Sequence, residues 1–585
     1  MKKSKFLLLF YLAFYAVSVC YAQTNEPFEE LMDTKPHDGL EVWSKQEKPQ
    51  LSWGSIDVRY AKRNVPDVGK TSRILLKAWK GERVNAQAVL WTNRVLDEVS
   101  VSVGDLKNGS SVLPSACVKT SFVRYVMTDE LNKDGKGGCE QRPNTADWDS
   151  SLVADMLDIA ESVHVKAYTT QSVWVNVWVP SDAKPGKYKG TLTVSSRNAV
   201  PMTLSMEVEI LHRTLPSPKE WRFHLDLWQN PYAVARYHRV PLWSEAHFEA
   251  MRPVMKMLAD AGQKVITATI MHKPWNGQTE DSFDSMVGKT KKIDGSWSYD
   301  YTVFDKWVEF MHSTGIDRQI NCYTLIPWAL NFDYFDQATN RVLYVQAKPG
   351  DEVYREYWGN FLSSFAGHLR EKGWFDKTTI AMDERGLEAM KEAIRVIRAA
   401  DPEFKISLAG NYHAEIEKEL YDLCLSFGHT FPEGVRLERE NDGKVSTVYT
   451  CCAEARPNTF TFSPPAEAAW TGWHAMAGDY DGYLRWAYNS WTRDPLHDSR
   501  FRTWAAGDCY LVYPGGRSSI RMERLIEGIQ AYEKIRILKE EFSKSGEKQK
   551  LEKLNGIVSR FTPEALDMQE SGEMVKIAGS ELNSL

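Results

Sequence analysis

At 585 residues the chain is too long for one hydrophobic core, and 43% apolar residues supply material for at least two domains. A formal net charge of -6 and a pI near 6.2 leave no basic footprint, which excludes nucleic acid as the expected partner. The 21 Trp, 25 Tyr and 23 Phe serve cores first, but amphipathic rings are also a common platform for the apolar faces of sugars.

The N-terminus reads as an export signal over residues 1–22. Lys2, Lys3 and Lys5 precede an apolar stretch at 6–19, and Cys20-Tyr21-Ala22 forms a cleavage site before Gln23. A lipid-anchor reading at Cys20 is weaker, because Val19 sits where a small residue is expected. No later stretch has the length and apolarity of a membrane span. An exported protein is expected, with the periplasm as its destination and secretion or surface attachment as alternatives. Of eight cysteines, Cys20 leaves with the signal, and the remaining seven show no CxxC spacing of a zinc site. Most are expected as buried small hydrophobes, with one bridge, such as Cys117–Cys139, conceivable in an oxidising compartment.

Residues 23–217 are expected to form a β-sandwich. Strand-length runs such as Ala86-Gln87-Ala88-Val89-Leu90-Trp91, Ser172-Val173-Trp174-Val175 and Lys187-Tyr188-Lys189-Gly190-Thr191-Leu192 are separated by turns such as Asp182-Ala183-Lys184-Pro185-Gly186. The Gly-, Asn- and Asp-rich stretch at 129–149 reads as a long loop. Leu215-Pro216-Ser217-Pro218 marks a boundary, after which helix and strand patterns alternate. Strands are predicted around Leu225, at 265–270, 320–326, 378–382 and 406–409. Between them run amphipathic helices carrying Met251 and Val254, Phe304 and Trp307, Phe361 and Phe365, and Met390 and Ile394. Such alternation predicts a parallel α/β sheet, and residues 218–535 are long enough for a (β/α)₈ barrel. Residues 536–585, rich in Lys and Glu, read as terminal helices packing on the barrel.

Two glycine-lysine-threonine triplets, at Gly69 and Gly288, are not phosphate loops. The motif's first glycine would fall on Asn64 and Phe283, so both read as loops. His224 and Asp226 read as a hydrogen-bonded barrel pair rather than metal ligands, and no metal or cofactor is called for.

The chemistry concentrates at predicted strand ends. Asp383 and Glu384 follow the apolar run Thr378-Thr379-Ile380-Ala381-Met382, where barrel enzymes carry catalytic groups. Neighbouring carboxylates cannot both hold charge cheaply, so one is pushed toward its protonated form and can act as a general acid. Both reach one pocket only if the strand ends at Asp383, since successive strand residues point to opposite faces. Trp228 and Gln229, His272, Trp328, and Asn411 and His413 lie at other strand ends, a set suited to a neutral sugar. In Gly482-Tyr483-Leu484-Arg485-Trp486-Ala487-Tyr488-Asn489-Ser490-Trp491, Trp486 and Tyr488 would share one strand face and, with Asn489, form a sugar-stacking wall.

The Asp-Glu pair, this aromatic segment, and Gly507-Asp508-Cys509-Tyr510-Leu511-Val512-Tyr513-Pro514-Gly515 through Ile520-Arg521-Met522-Glu523-Arg524 resemble glycoside hydrolase family 123, the β-N-acetylgalactosaminidases. The resemblance covers most of the mature chain and implies the same sandwich-then-barrel architecture. It further implies exo-acting removal of terminal β-linked GalNAc from glycans, with the substrate's own 2-acetamido group as nucleophile. Carried over, Glu384 protonates the leaving oxygen and Asp383 orients the acetamide, its charge raising the pKa of Glu384. Trp486 floors the pocket, and Tyr449 or Tyr488 binds the acetamide oxygen. Two alternatives stand beside this: a conventional retaining glycosidase with Glu454 as nucleophile, and a glycan-binding protein without turnover. The oligomeric state is left open.

Overall fold

The structure, a computed structural model, describes residues 28–129, 139 and 150–585. The expected signal segment and most of the loop expected at 129–149 lie outside the described residues. Among the described residues no helix is long and apolar enough to cross a membrane.

Two sheets face each other in the N-terminal region, as the strand pattern predicted. One runs in the order Gln50–Gly54, Arg83–Thr92, Thr169–Trp178, Val118–Thr128 and Ser151–Leu157. The other is built on Arg73–Lys80, Ala199–Thr214, Gly186–Ser196, Leu96–Val103 and Ser162–Val165. Leu90, Val175, Leu192 and Val208 meet in the core between them. The strand Gly186–Ser196 alternates in burial, as a strand with one wet face does. Thr169–Trp178 is buried along nearly its whole length, because its outer face rests on the rest of the molecule. There Asn176 donates to Glu523 at 2.8 Å and Gln530 Nε2 donates to the carbonyl of Arg83 at 2.7 Å. The pair Ser518–Ser519, far downstream, adds a sixth strand to this sheet.

The second region is a parallel eight-stranded barrel. Its strands are β1 His224–Leu227, β2 Val265–Thr269, β3 Gln319–Tyr323, β4 Thr378–Asp383, β5 Lys405–Gly410, β6 Asp422–Ser426, β7 Val445–Tyr449 and β8 Gly482–Arg485. Each pairs with its sequence neighbour from β2 to β8, β8 pairs with β1, and a single bridge, Leu225 to Gln263, brings β1 against β2. Leu225, Leu227, Ile266, Ile320, Ile380 and Met382 point outward into the helical layer. That layer includes Glu245–Ala259, Thr302–Thr314, Glu352–Glu371 and Leu387–Ala400. Between β5 and β6 the connection holds only the 3₁₀ turn Glu417–Glu419. β8 stops at Arg485, so the aromatic segment beyond it is not the continuous strand that its alternation predicted.

Sequence reasoning passed over a four-stranded sheet beside the barrel, Gly288–Lys291, Trp297–Asp300, Asn331–Asp336 and Arg341–Gln346. The triplet at Gly288, read as a loop, opens its first strand. Helix Ile520–Ser545 crosses the expected division at 535 and buries residues along most of its length. With Pro465–Ala477 and Ser571–Leu582 it encloses a core of Trp79, Trp470, Trp473, Leu538 and Val575, joining sandwich, barrel and C-terminus. Cys139 bridges Cys452, not Cys117, which is free and half-buried. The pairing joins the sandwich loop to the exit of β7, a proximity that spacing along the chain does not encode.

Candidate active site

The inward side chains of a barrel strand form successive layers, and the carboxyl ends of the strands open onto one mouth. On β4, Thr379 Oγ1 donates to Asn321 Oδ1 in the interior, Ala381 joins an aromatic layer above it, and Asp383 is the inward residue at the top. The next residue leaves the strand geometry. Glu384 has a φ of +41°, a left-handed conformation costing about 1 kcal/mol for a residue with a Cβ. Its N–H is tied to the carbonyl of Ala409 on β5 at 2.6 Å. Gly410 allows this approach, since a Cβ there would lie 3.3 Å from the Glu384 Cα. The left-handed turn answers the alternation problem: Asp383 stays inside the mouth and Glu384 reaches its exposed rim.

Asp383 is 7% exposed and surrounded by aromatic groups. Its Oδ2 accepts the indole N–H of Trp328 at 3.2 Å, and Arg385 lies 3.6 Å from Oδ1. The Arg385 guanidinium also covers the Trp328 ring at 4.1 Å and donates to the carbonyl of Ile326, tying the turn after β4 to the exit of β3. Burial pushes the Asp383 carboxyl up to about 6, against the pull of Arg385 and of the Trp328 N–H. The carboxyl that burial displaces at this exit is that of Asp383. The inward strand position is dry and the turn after it is wet. Glu384 Oε1 accepts a hydrogen bond from the Tyr449 hydroxyl at 3.0 Å, from the end of β7. Trp228, Trp275 and Tyr323 pack against one another, with ring centroids 4.5–5.2 Å apart, in the layer that also holds Ala381 and Tyr449.

Comparison with known proteins bears on this mouth directly. Residues 228–538, more than half of the chain, match the family described as Glycoside hydrolase 123, catalytic domain, and residues 53–196 match the Glycoside hydrolase 123 N-terminal domain. The chain belongs to glycoside hydrolase family 123. A family 123 glycoside hydrolase from Clostridium perfringens, solved in a study of glycolipid glycan hydrolysis, is 26% identical, with a TM-score of 0.81 over 92% of this chain and 97% of that one. A Bacteroides ovatus GH5 xyloglucanase, 10% identical, covers 82% of this chain and 100% of its own at a TM-score of 0.27, too low to carry an argument. None of the curated proteins compared matches this chain.

Against this glycoside hydrolase frame, the structure brings Trp228, Trp328, Tyr449 and Trp486 to the layers around Asp383 and Glu384. His272 stands half-buried beyond β2, with Nδ1 2.9 Å from Asp284 Oδ1, and Asn411 is exposed immediately after β5. Two predicted residues lie elsewhere. Tyr488 is fully buried, its hydroxyl donating to the carbonyl of Val254 at 2.9 Å in the helical layer. Asn489 is fully buried and exchanges hydrogen bonds with the backbone of Asn230, both 2.9 Å long. Because β8 ends at Arg485, its alternation does not extend to them, and they secure the frame behind the mouth. Sequence reasoning missed Trp275, Tyr323 and the partnership of Arg385 with Asp383. Tyr323 ends its strand as Trp228 follows its own, a signal open to the same reading. Trp275 lies on a loop and offered none.

Proposed function

We propose that this family 123 enzyme is an exo-acting β-N-acetylgalactosaminidase that removes terminal β-linked GalNAc from glycans by substrate-assisted, retaining catalysis. The observation that carries this reading is the division of labour at one strand exit: a buried Asp383 and a rim-exposed Glu384, adjacent in the chain but in different solvent environments. A dry carboxylate with two indoles and an arginine near it suits holding an amide N–H and a developing positive charge. A solvent-exposed acid suits proton exchange with a leaving oxygen and with water.

In the first half-reaction the acetamide oxygen attacks C1 and the bond from C1 to the leaving oxygen breaks. Glu384 gives its proton to that oxygen while Asp383 accepts the acetamide N–H and stabilises the oxazolinium ring. Tyr449, whose hydroxyl now donates to Glu384, turns to the acetamide oxygen when the sugar enters. In the second half-reaction water attacks C1, the ring opens, and Glu384 takes the water's proton. Conventional retaining chemistry through Glu454 is disfavoured because that carboxylate closes its own turn, accepting the N–H of Cys451 at 2.7 Å. The intact acid pair argues against a binding protein without turnover. The Clostridium perfringens relative supports glycolipid-type glycans as substrates, and the N-terminal sequence supports export to the periplasm.

The test compares hydrolysis of an aryl β-N-acetylgalactosaminide with that of the matching aryl β-galactoside. The first is expected to be the only good substrate, and a thiazoline mimic of the oxazolinium is expected to bind far more tightly than substrate. Equal rates on the two glycosides overturn the substrate-assisted reading.

A further inference from the structure

The aromatic segment after β8 and the Gly507-Asp508 dipeptide, both conspicuous in the sequence, meet at one buried carboxylate. Asp508 and Arg485 are both 0% exposed, and Arg485 Nη2 donates to Asp508 Oδ1 at 2.5 Å. The other oxygen, Oδ2, accepts the indole N–H of Trp486 at 3.2 Å. One side chain thus grips two consecutive residues where β8 ends. Trp504 meets the Trp486 ring edge-on at 5.7 Å, so the indole is held at its nitrogen and from a second direction.

The same arginine reaches the neighbouring strand exit. Arg485 Nη1 donates to Asn458 Oδ1 at 2.8 Å and to Thr450 Oγ1 at 3.3 Å. The Asn458 amide donates to the carbonyls of Cys451 and Glu454, both at 2.7 Å. Thr450 directly follows Tyr449, whose hydroxyl holds Glu384. Gly507 lets the chain deliver Asp508 to this point: its φ is +85°, and a Cβ there would lie 2.6 Å from the Thr461 nitrogen. A buried ion pair is a poor device for stability alone, because a hydrophobic pair of equal volume serves as well or better. A hydrophobic pair would not orient an indole N–H.

We propose that Asp508 is a positioning residue. Through Arg485 and Trp486 it fixes the indole and the loop that follows Tyr449 at the exit of β7 as one unit, acting on sugar binding without touching the sugar. This rests on the reading of the mouth as a sugar site.

The test is a double-mutant cycle of Asp508→Asn and Trp486→Phe, read by KM and kcat on the aryl β-N-acetylgalactosaminide. Trp486→Phe keeps a ring but removes the N–H, and is expected to raise KM about tenfold with a smaller effect on kcat. Asp508→Asn alone is expected to raise KM by a similar factor, but by less than about threefold when added to Trp486→Phe. Additive KM effects, or a lower melting temperature with KM unchanged, reduce the pair to a core ion pair and overturn the proposal. If Asp508→Asn does not fold, Trp486→Phe decides alone: an unchanged KM overturns the proposal and the tenfold rise supports it. If the wild-type enzyme prefers a different glycoside, the substrate reading fails by itself, and the cycle is read on that glycoside with the same criterion.

Discussion

At the floor of the barrel, Asp226 and Asp422 lie among His224, Gln319 and Asn321; at its mouth, Asp383 lies beside Trp328 and Arg385. Burial pushes Asp422 and Asp383 alike up to about 6. On the floor, Gln319 donates to Asp422 at 2.7 Å and Asn321 donates to Asp226 at 3.3 Å. His224, held down at about 3 by burial, stands 3.8 Å from Asp422, and all three groups are less than a tenth exposed. At the mouth the displaced carboxyl adjoins a second one that reaches solvent. The contrast shows that a perturbed carboxyl is not by itself a catalytic mark. It gains chemical meaning from an accessible acid beside it and a surface that a substrate can reach.

The comparison breaks most visibly at Glu384. Glu384→Gln is expected to lower kcat about 10³-fold on the aryl β-N-acetylgalactosaminide, with little change in melting temperature, because the role proposed for this exposed rim residue is proton transfer and not packing. Activity that survives this change would empty the mouth of its assigned chemistry. Asp383→Asn comes next, with a loss of about 10²-fold in kcat/KM, as removal of one group that stabilises developing charge costs.

The state of Asp383 also sets a pH limb. Under the substrate-assisted mechanism proposed above its carboxyl ionises to accept the acetamide N–H, so kcat/KM in the wild-type enzyme is expected to rise with pH through about 6. Arg385 favours the ionised form, so Arg385→Met removes that support and should move the limb to higher pH by at least half a unit or so. A limb that stays in place, or moves down, would separate Arg385 from Asp383.

The smallest effect is expected on the floor, and in stability rather than rate. Asp422 has a folded-state value raised above its unfolded one, so its protonated form favours the fold. That contribution is full below pH 4 or so and is lost as pH rises through about 6. Asp422→Asn should therefore stabilise the protein by roughly 1–3 kcal/mol at pH 7.5, converge with wild type below about pH 4, and leave kcat within about twofold. Thermal melting across that range checks it, and a loss of activity like that of Asp383→Asn would erase the distinction between floor and mouth.

Much of this arrangement was legible in the residues. Leu225 and Leu227 alternating with His224 and Asp226 announce a strand with one face toward helices and one toward a barrel interior. Met390, Ile394 and Ile397 announce the helix that covers it. The apolar run ending in Asp383 and Glu384 announces a strand exit bearing acids. Tyr488 misled because its alternation with Trp486 continues past the point where regular ladder pairing with β7 and β1 stops. Backbone pairing ends a strand, and side-chain pattern alone does not register it.

The chain by itself determined the order of sandwich and barrel, the strand that carries the acid pair and the family to which it belongs, since these follow from local periodicity and contiguous motifs. Tertiary structure decided which of the two acids is dry, that Cys139 finds Cys452, that Asp508 joins Arg485 to Trp486, and that Tyr449 meets Glu384. Each of these depends on residues distant in the chain, and the low-dielectric surroundings that shift a carboxyl exist only once those residues have packed around it.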